Sequence, residues 1–168
     1  MPLRILCIAV GAIIASLALV QRPYERIAHI QTPDEKHIHQ VYAKNPIKTE
    51  FIATAQGLSG ISIARKESVT PESAIIAQIY SDTNVEISSL LTVTPNEMRL
   101  SFEPQAQSKG QLFTITIDTP TTKQNALLLP YESDVTKYRG NTVWQNEVKK
   151  QGSLGITEYE RPTIALSL

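Results

Sequence analysis

Residues 130–147 gather the side chains best suited to recognising a ligand: Tyr131, Tyr138 and Trp144 stand among Arg139, Asn141, Gln145 and Asn146. Aromatic faces pack against the C–H face of a sugar ring, and amides and charged groups beside them hydrogen-bond its hydroxyls. Tyr131, Tyr138, Arg139, Asn141, Trp144 and Asn146 are therefore the candidate glycan-contacting residues. The competing account is that Trp144, the one tryptophan of the chain, fills the core together with Tyr138.

Catalysis has weaker footing. The sequence holds no G-x-S-x-G, C-x-x-C or H-E-x-x-H pattern and no phosphate-binding glycine loop, so neither a nucleophile with its base nor a metal has its usual setting. His37 and His39 are two residues apart, which on a helix turns them to different sides and only in an extended chain aligns them; a solvated helix face is the expectation. Glu158 with Glu160, and Glu132 with Asp134, would share strand faces and could seat a hydrolytic pair or a calcium ion, but a solvent-facing edge accounts for them equally well. A carboxylate-based hydrolase is thus a distant third reading. The expected protein is not an enzyme and needs no metal or cofactor.

Composition narrows the partners. Lysines and arginines number 16, as do aspartates and glutamates, and the two signs are interspersed, so there is no basic stripe for a phosphate backbone and nucleic acid is not an expected partner. Cys7, the one cysteine, lies in the apolar N-terminus and says nothing about the redox compartment of the remainder. Residues 5–20 carry no charge, with Arg4 before them and Arg22 after. As a helix they span about 24 Å at 1.5 Å per residue, thin for a hydrocarbon core but adequate with help from the flanks. An uncleaved membrane anchor is the preferred reading. A cleaved signal peptide is the alternative, with Ser16, Leu17 and Ala18 as a weak cleavage pattern, and a buried helix comes last. Because so few residues precede the apolar run, nearly the whole chain is expected on one side of the membrane, outside the cytoplasm. The protein would be secreted or periplasmic if the segment is removed.

Three parts are expected: residues 1–21 as anchor or signal, 22–48 as a juxtamembrane helical stalk, and 49–168 as a β-domain. Within the stalk, Thr32, Pro33 and Glu35 make a capping box, Ile38, Val41 and Tyr42 fall on one helical face, and Asn45-Pro46 stops the run, which predicts a helix over 33–44. The three-residue stripe leaves a loosely packed stalk as an equal alternative.

Beyond Thr49 the period becomes two. Leu100 and Phe102 alternate with Arg99, Ser101 and Glu103, and Phe113, Ile115 and Ile117 with Leu112, Thr114, Thr116 and Asp118. Strands are predicted at 50–55, 59–65, 74–80, 85–91, 99–103, 111–118, 126–129, 142–148, 154–159 and 163–168, separated by Gly, Pro, Asn and Asp at intervals near ten residues. Residues 126–129 are apolar throughout and need cover on both faces. The pattern predicts an antiparallel sandwich, mainly β. Ile164, Leu166 and Leu168 alternate at the end of the chain, a candidate docking edge if exposed.

The runs GLSGISI at 57–63, RLSFEP at 99–104, QSKGQLFTITIDTP at 107–120, QNALLL at 124–129 and GSLGITEYER at 152–161 resemble extracytoplasmic β-sandwich segments of uncharacterised bacterial membrane proteins, often found beside glycosyltransferase-like multi-pass regions. The similarity covers about Thr49 to Arg161. Gln105, Gln107 and Thr119 depart from the isoleucine, aspartate and serine usual in that group. These are framework positions, so the resemblance implies a jelly-roll-like sandwich outside the cytoplasm and a link to envelope polysaccharide. It implies no transferase activity, because the multi-pass portion has no counterpart in this sequence. The expected function is a membrane-anchored, non-catalytic domain binding cell-envelope or extracellular glycan, with docking on an envelope protein as the alternative.

Overall fold

The computed structural model describes residues 25–34, 36–134, 141–150 and 152–161. The expected anchor over 5–20 and the strand over 163–168 lie outside them. No described helix is long and apolar enough to cross a membrane. In chain order the strands are β1 (Arg26–Ile30), β2 (Ile38–Val41), β3 (Ile47–Ile52), β4 (Leu58–Ala64), β5 (Ile76–Tyr80), β6 (Glu86–Ile87), β7 (Ser89–Val93), β8 (Glu97–Gln105), β9 (Leu112–Asp118), β10 (Leu127–Glu132), β11 (Thr142–Gln145), β12 (Val148–Lys150), β13 (Ser153–Leu154) and β14 (Ile156–Glu160).

They form three antiparallel sheets with strand orders β1-β14-β4-β8-β7, β12-β11-β3-β9-β5-β6 and β13-β10-β2. The protein is mainly β, with sheets stacked on shared apolar cover in the manner of a sandwich. Alternation explains the inner faces. In β3, Ile47, Thr49 and Phe51 are buried while Lys48 and Ile52 are exposed; in β8, Met98, Leu100 and Phe102 are buried. One apolar cluster joins Ile61, Ile63, Leu100 and Ile156 of the five-stranded sheet to Phe51, Phe113, Ile115 and Val143 of the six-stranded sheet, and to Val41, Leu127 and Leu129 of the smallest. Phe51 stacks on Phe113 at 5.7 Å between ring centroids, and truncating either to alanine costs about 3–5 kcal/mol.

The chain passes repeatedly from sheet to sheet: β3 belongs to the six-stranded sheet, β4 to the five-stranded, β5 and β6 to the six-stranded, β7 and β8 to the five-stranded, β9 to the six-stranded again. β3 pairs with β9 and β4 with β8, so consecutive strands 3–4 and 8–9 run as one antiparallel ribbon folded over the core.

The juxtamembrane helix expected over 33–44 is not formed. Residues 38–41 are a strand, β2, with His39 and Val41 buried and Gln40 exposed, and β2 pairs with β10 from Val41↔Leu127 to Ile38↔Pro130. β1 likewise pairs with β14, and β3 begins at Ile47, so residues 26–48 take part in all three sheets and do not form a helical stalk. The capping signal is spent on a local turn, in which Asp34 Oδ1 accepts from the Lys36 N–H at 3.0 Å. An isolated helix with a three-residue apolar stripe is marginal in water, and an unpaired β10 edge offers that stretch more.

Two boundaries moved for identifiable reasons. β10 continues through Pro130 to Glu132: Tyr131 N donates to His37 O and Lys66 N to Leu128 O, so Pro130 lacks its donor on the side away from β2, where the loss costs least. The single strand expected over 142–148 is a hairpin, β11–β12, turned at Asn146 (φ 51°) and Glu147 (φ 64°).

Candidate functional site

The register of the six-stranded sheet determines what its outer face presents. Trp144 lies opposite Lys48, Lys48 opposite Thr116, and Thr116 opposite Gln78. The adjacent row on the same face runs Thr142, Glu50, Thr114, Tyr80 and Glu86. Because side chains alternate along each strand, Val143 enters the core while Trp144 stands outside, half-buried. Beside it opens a groove of about 760 Å³ lined by Pro46, Ile47, Lys48, Thr116, Trp144, Asn146 and Glu147.

The hairpin turn builds one rim. Gln145 pairs with Val148, leaving Asn146 and Glu147 as a two-residue loop with both φ angles positive, the geometry that matches strand twist. Asn146 Nδ2 donates to Asn45 Oδ1 at 2.9 Å, and Asn45 Nδ2 to Gln40 O at 2.6 Å, so the rim is tied to the turn between β2 and β3. Lys48 Nζ meets Glu50 Oε1 of the adjacent row at 2.8 Å. The indole Nε1 of Trp144 is shut from solvent and has no acceptor. Such a donor costs about 1–3 kcal/mol.

Four of the six expected contact residues are among the described ones. Trp144 and Asn146 share the groove. Asn141 Nδ2 instead donates to Gln31 Oε1 at 2.7 Å. Tyr131 packs at the edge of the core, its ring 4.1 Å from that of His39 and 5.4 Å from that of His37. Tyr138 and Arg139 lie outside the described residues. Lys48, Thr116 and Glu147 were missed; alternation read from Ile47 would have put Lys48 on the outer face.

The other ionisable candidates also find places. His37 and His39 do not sit on a solvated helix face: β2 is extended and both rings meet Tyr131. His39 is buried, and burial first, then the charge of Lys150, lowers its pKa from 6.5 to about 4, against a hydrogen bond with Gln145 that raises it. Among the described residues no group of three or more His, Cys, Asp or Glu side chains could hold a metal ion.

Glu158 and Glu160 do not form a wet edge either; they are 1% and 8% exposed. Glu158 accepts from Thr54 N at 2.8 Å, Thr54 Oγ1 at 3.0 Å and Ala55 N at 3.0 Å, while Glu160 accepts from Gln56 N at 3.1 Å and Arg26 Nε at 2.6 Å. They face inward with Ile156 and satisfy the backbone N–H groups of the turn between β3 and β4. Glu132 is buried and accepts from Asp134 N at 3.1 Å.

On the outer face of the five-stranded sheet, the Arg99 guanidinium lies 3.9 Å above the Tyr159 ring and pairs with Glu25, which also accepts from Ser59 Oγ at 3.0 Å. Within that cluster the Arg99 Nε is buried without an acceptor. No protein-family model matches the chain, and no curated protein matches it.

Proposed function

We propose that this chain is a membrane-anchored, non-catalytic extracytoplasmic domain of jelly-roll type that binds glycan in the Trp144 groove. The observation carrying the reading is the half-buried indole on an outer sheet face, flanked by Lys48, Thr116, Asn146 and Glu147 in an open groove of about 760 Å³. A sugar needs an apolar platform with hydroxyl-directed donors and acceptors around it, and this groove supplies both. The folded-over ribbon of strands 3–4 and 8–9 supports the jelly-roll description, the uncharged run 5–20 supports the anchor, and the resemblance to extracytoplasmic segments supports the compartment.

The test is a glycan array probed with the full chain in detergent, beside Trp144→Ala and Trp144→Phe. Binding lost in Trp144→Ala and largely kept in Trp144→Phe supports the reading. Binding equal in all three removes the groove as the site.

A second reading rests on another part of the same face. Ile52 and Leu112 pair across β3 and β9 and are 46% and 39% exposed, an apolar step suited to docking on an envelope protein. Capture of such a protein that survives Trp144→Ala and fails in Ile52→Lys would favour it.

A further inference from the structure

Arg65 follows the end of β4, where its N–H donates to Asn96 O at 2.9 Å and the next residue bridges to Leu128. The side chain is 6% exposed. Its one hydrogen bond is weak, Nη2 to Ser68 Oγ at 3.3 Å. Nε and Nη1 are buried with no acceptor, and among the described residues no carboxylate lies within ion-pair distance of the guanidinium. Charged side chains are almost never this buried unless paired, since an uncompensated ion in the interior costs several kcal/mol.

Arg65 does not stand in solid packing. It forms part of the wall of a cavity of about 520 Å³, with Thr32, Pro33, Lys66, Glu67, Asn96 and Pro130 around it. The cavity lies between the end of β4, the β7–β8 turn and the turn before β2, on elements that do not include the Trp144 groove. A cation without a counter-ion beside a space lined by a second cation, an amide and a hydroxyl is the arrangement an oxoanion completes. Glu67 on the wall disfavours a dianion, and the planar guanidinium fork matches a carboxylate.

We infer that the Arg65 cavity is a second ligand site, one that takes a singly charged carboxylate of the kind borne by acidic sugars and small organic acids. The carboxylate oxygens accept from the guanidinium, whose buried Nε and Nη1 a rotation of the side chain turns into the cavity, with Lys66 and Asn96 at the sides. The inference stands without the Trp144 groove, and the two fail independently.

The experiment follows thermal unfolding and calorimetric binding of the full chain in detergent with sodium glucuronate, sodium acetate, sodium sulfate or sodium chloride at constant ionic strength. Glucuronate is expected to bind by calorimetry and to raise the melting temperature above that in chloride, with acetate giving smaller effects; sulfate, which stabilises folded proteins generally by exclusion from their surface, should give no calorimetric binding. Arg65→Met should melt higher than the parent in chloride, because a stranded charge has been removed, and should lose the glucuronate response; affinity should fall at least tenfold. Asn96→Ala, at an exposed turn, should weaken the response severalfold without loss of fold and covers the case in which Arg65→Met does not fold. A parent protein indifferent to glucuronate, a response kept in Arg65→Met, a response unchanged in Asn96→Ala, or sulfate binding more tightly than glucuronate by calorimetry would each overturn the assignment.

Discussion

Lowering the pH should destabilise this protein through His39. The ring is 7% exposed and stacked on Tyr131 at 4.1 Å with 25° between planes, and Nε2 has no partner. In the folded chain its pKa lies near 4, mainly through burial, against 6.5 for the free group. The unfolded chain therefore binds the proton more readily, so the neutral ring contributes stability that is complete above pH 6.5 and is lost as pH falls towards 4. At 1.36 kcal/mol per pH unit, the loss relative to pH 7.5 reaches about 2 kcal/mol at pH 5 and about 3 kcal/mol at pH 4. Carboxylates titrate in part of the same window, so the informative quantity is the difference between the parent and His39→Leu. Urea unfolding followed by Trp144 fluorescence from pH 7.5 to 4 should show the parent losing this much more stability than the variant. Parallel curves, or a His39 titration by NMR centred at or above 6.5, would refute the account of the buried ring.

Three further outcomes follow from the contacts. Glu158→Gln keeps an oxygen for the N–H groups of Thr54 and Ala55 and lets the Thr54 hydroxyl turn to accept from the new amide, but removes the charge they share, so thermal unfolding should report a loss of about 1–2 kcal/mol. Glu147→Gly relieves a left-handed residue at φ 64° in the two-residue hairpin; the unfolding free energy from denaturant titration should rise by about 1 kcal/mol, as the Asn-Gly turn it creates is the favoured one. Gly152→Ala places a Cβ against Glu132 O and the Tyr131 ring at a φ of 101°, and should cost more than about 2 kcal/mol, with broadening of the Tyr131 ring resonances.

Local alternation carried much of the architecture. Phe113, Ile115 and Ile117 are buried and the intervening Thr116 is not, as their spacing implies, and β4, β8, β10 and β14 fall close to the predicted spans. Failures came where a short-range signal has two physical outlets. Thr32, Pro33 and Glu35 read as a helix cap, yet the neighbouring residues pair with β10, a partner almost ninety positions away that no local pattern reveals. Asn146-Glu147 is a tight turn without the glycine that usually marks one. Glu158 and Glu160 have the spacing of a wet edge; they are inside because the turn between β3 and β4 brings unpaired N–H groups to them over about a hundred residues of sequence. Closeness in sequence grouped Asn141, Tyr131 and Trp144, whereas long-range contacts give Asn141 to Gln31, Tyr131 to His37 and His39, and Trp144 to the outer face of the six-stranded sheet.

With a single tryptophan in the chain, fluorescence excited at the red edge of the absorption band, where the tyrosines contribute little, reports on the folded groove. Titrating the full-length protein with an oligosaccharide retained on the array should blue-shift and intensify the Trp144 emission and reduce its quenching by acrylamide, with a half-saturation point equal to the calorimetric dissociation constant. Saturable binding by calorimetry that leaves both the emission spectrum and the quenching unchanged would contradict the claim that ligand rests on this indole.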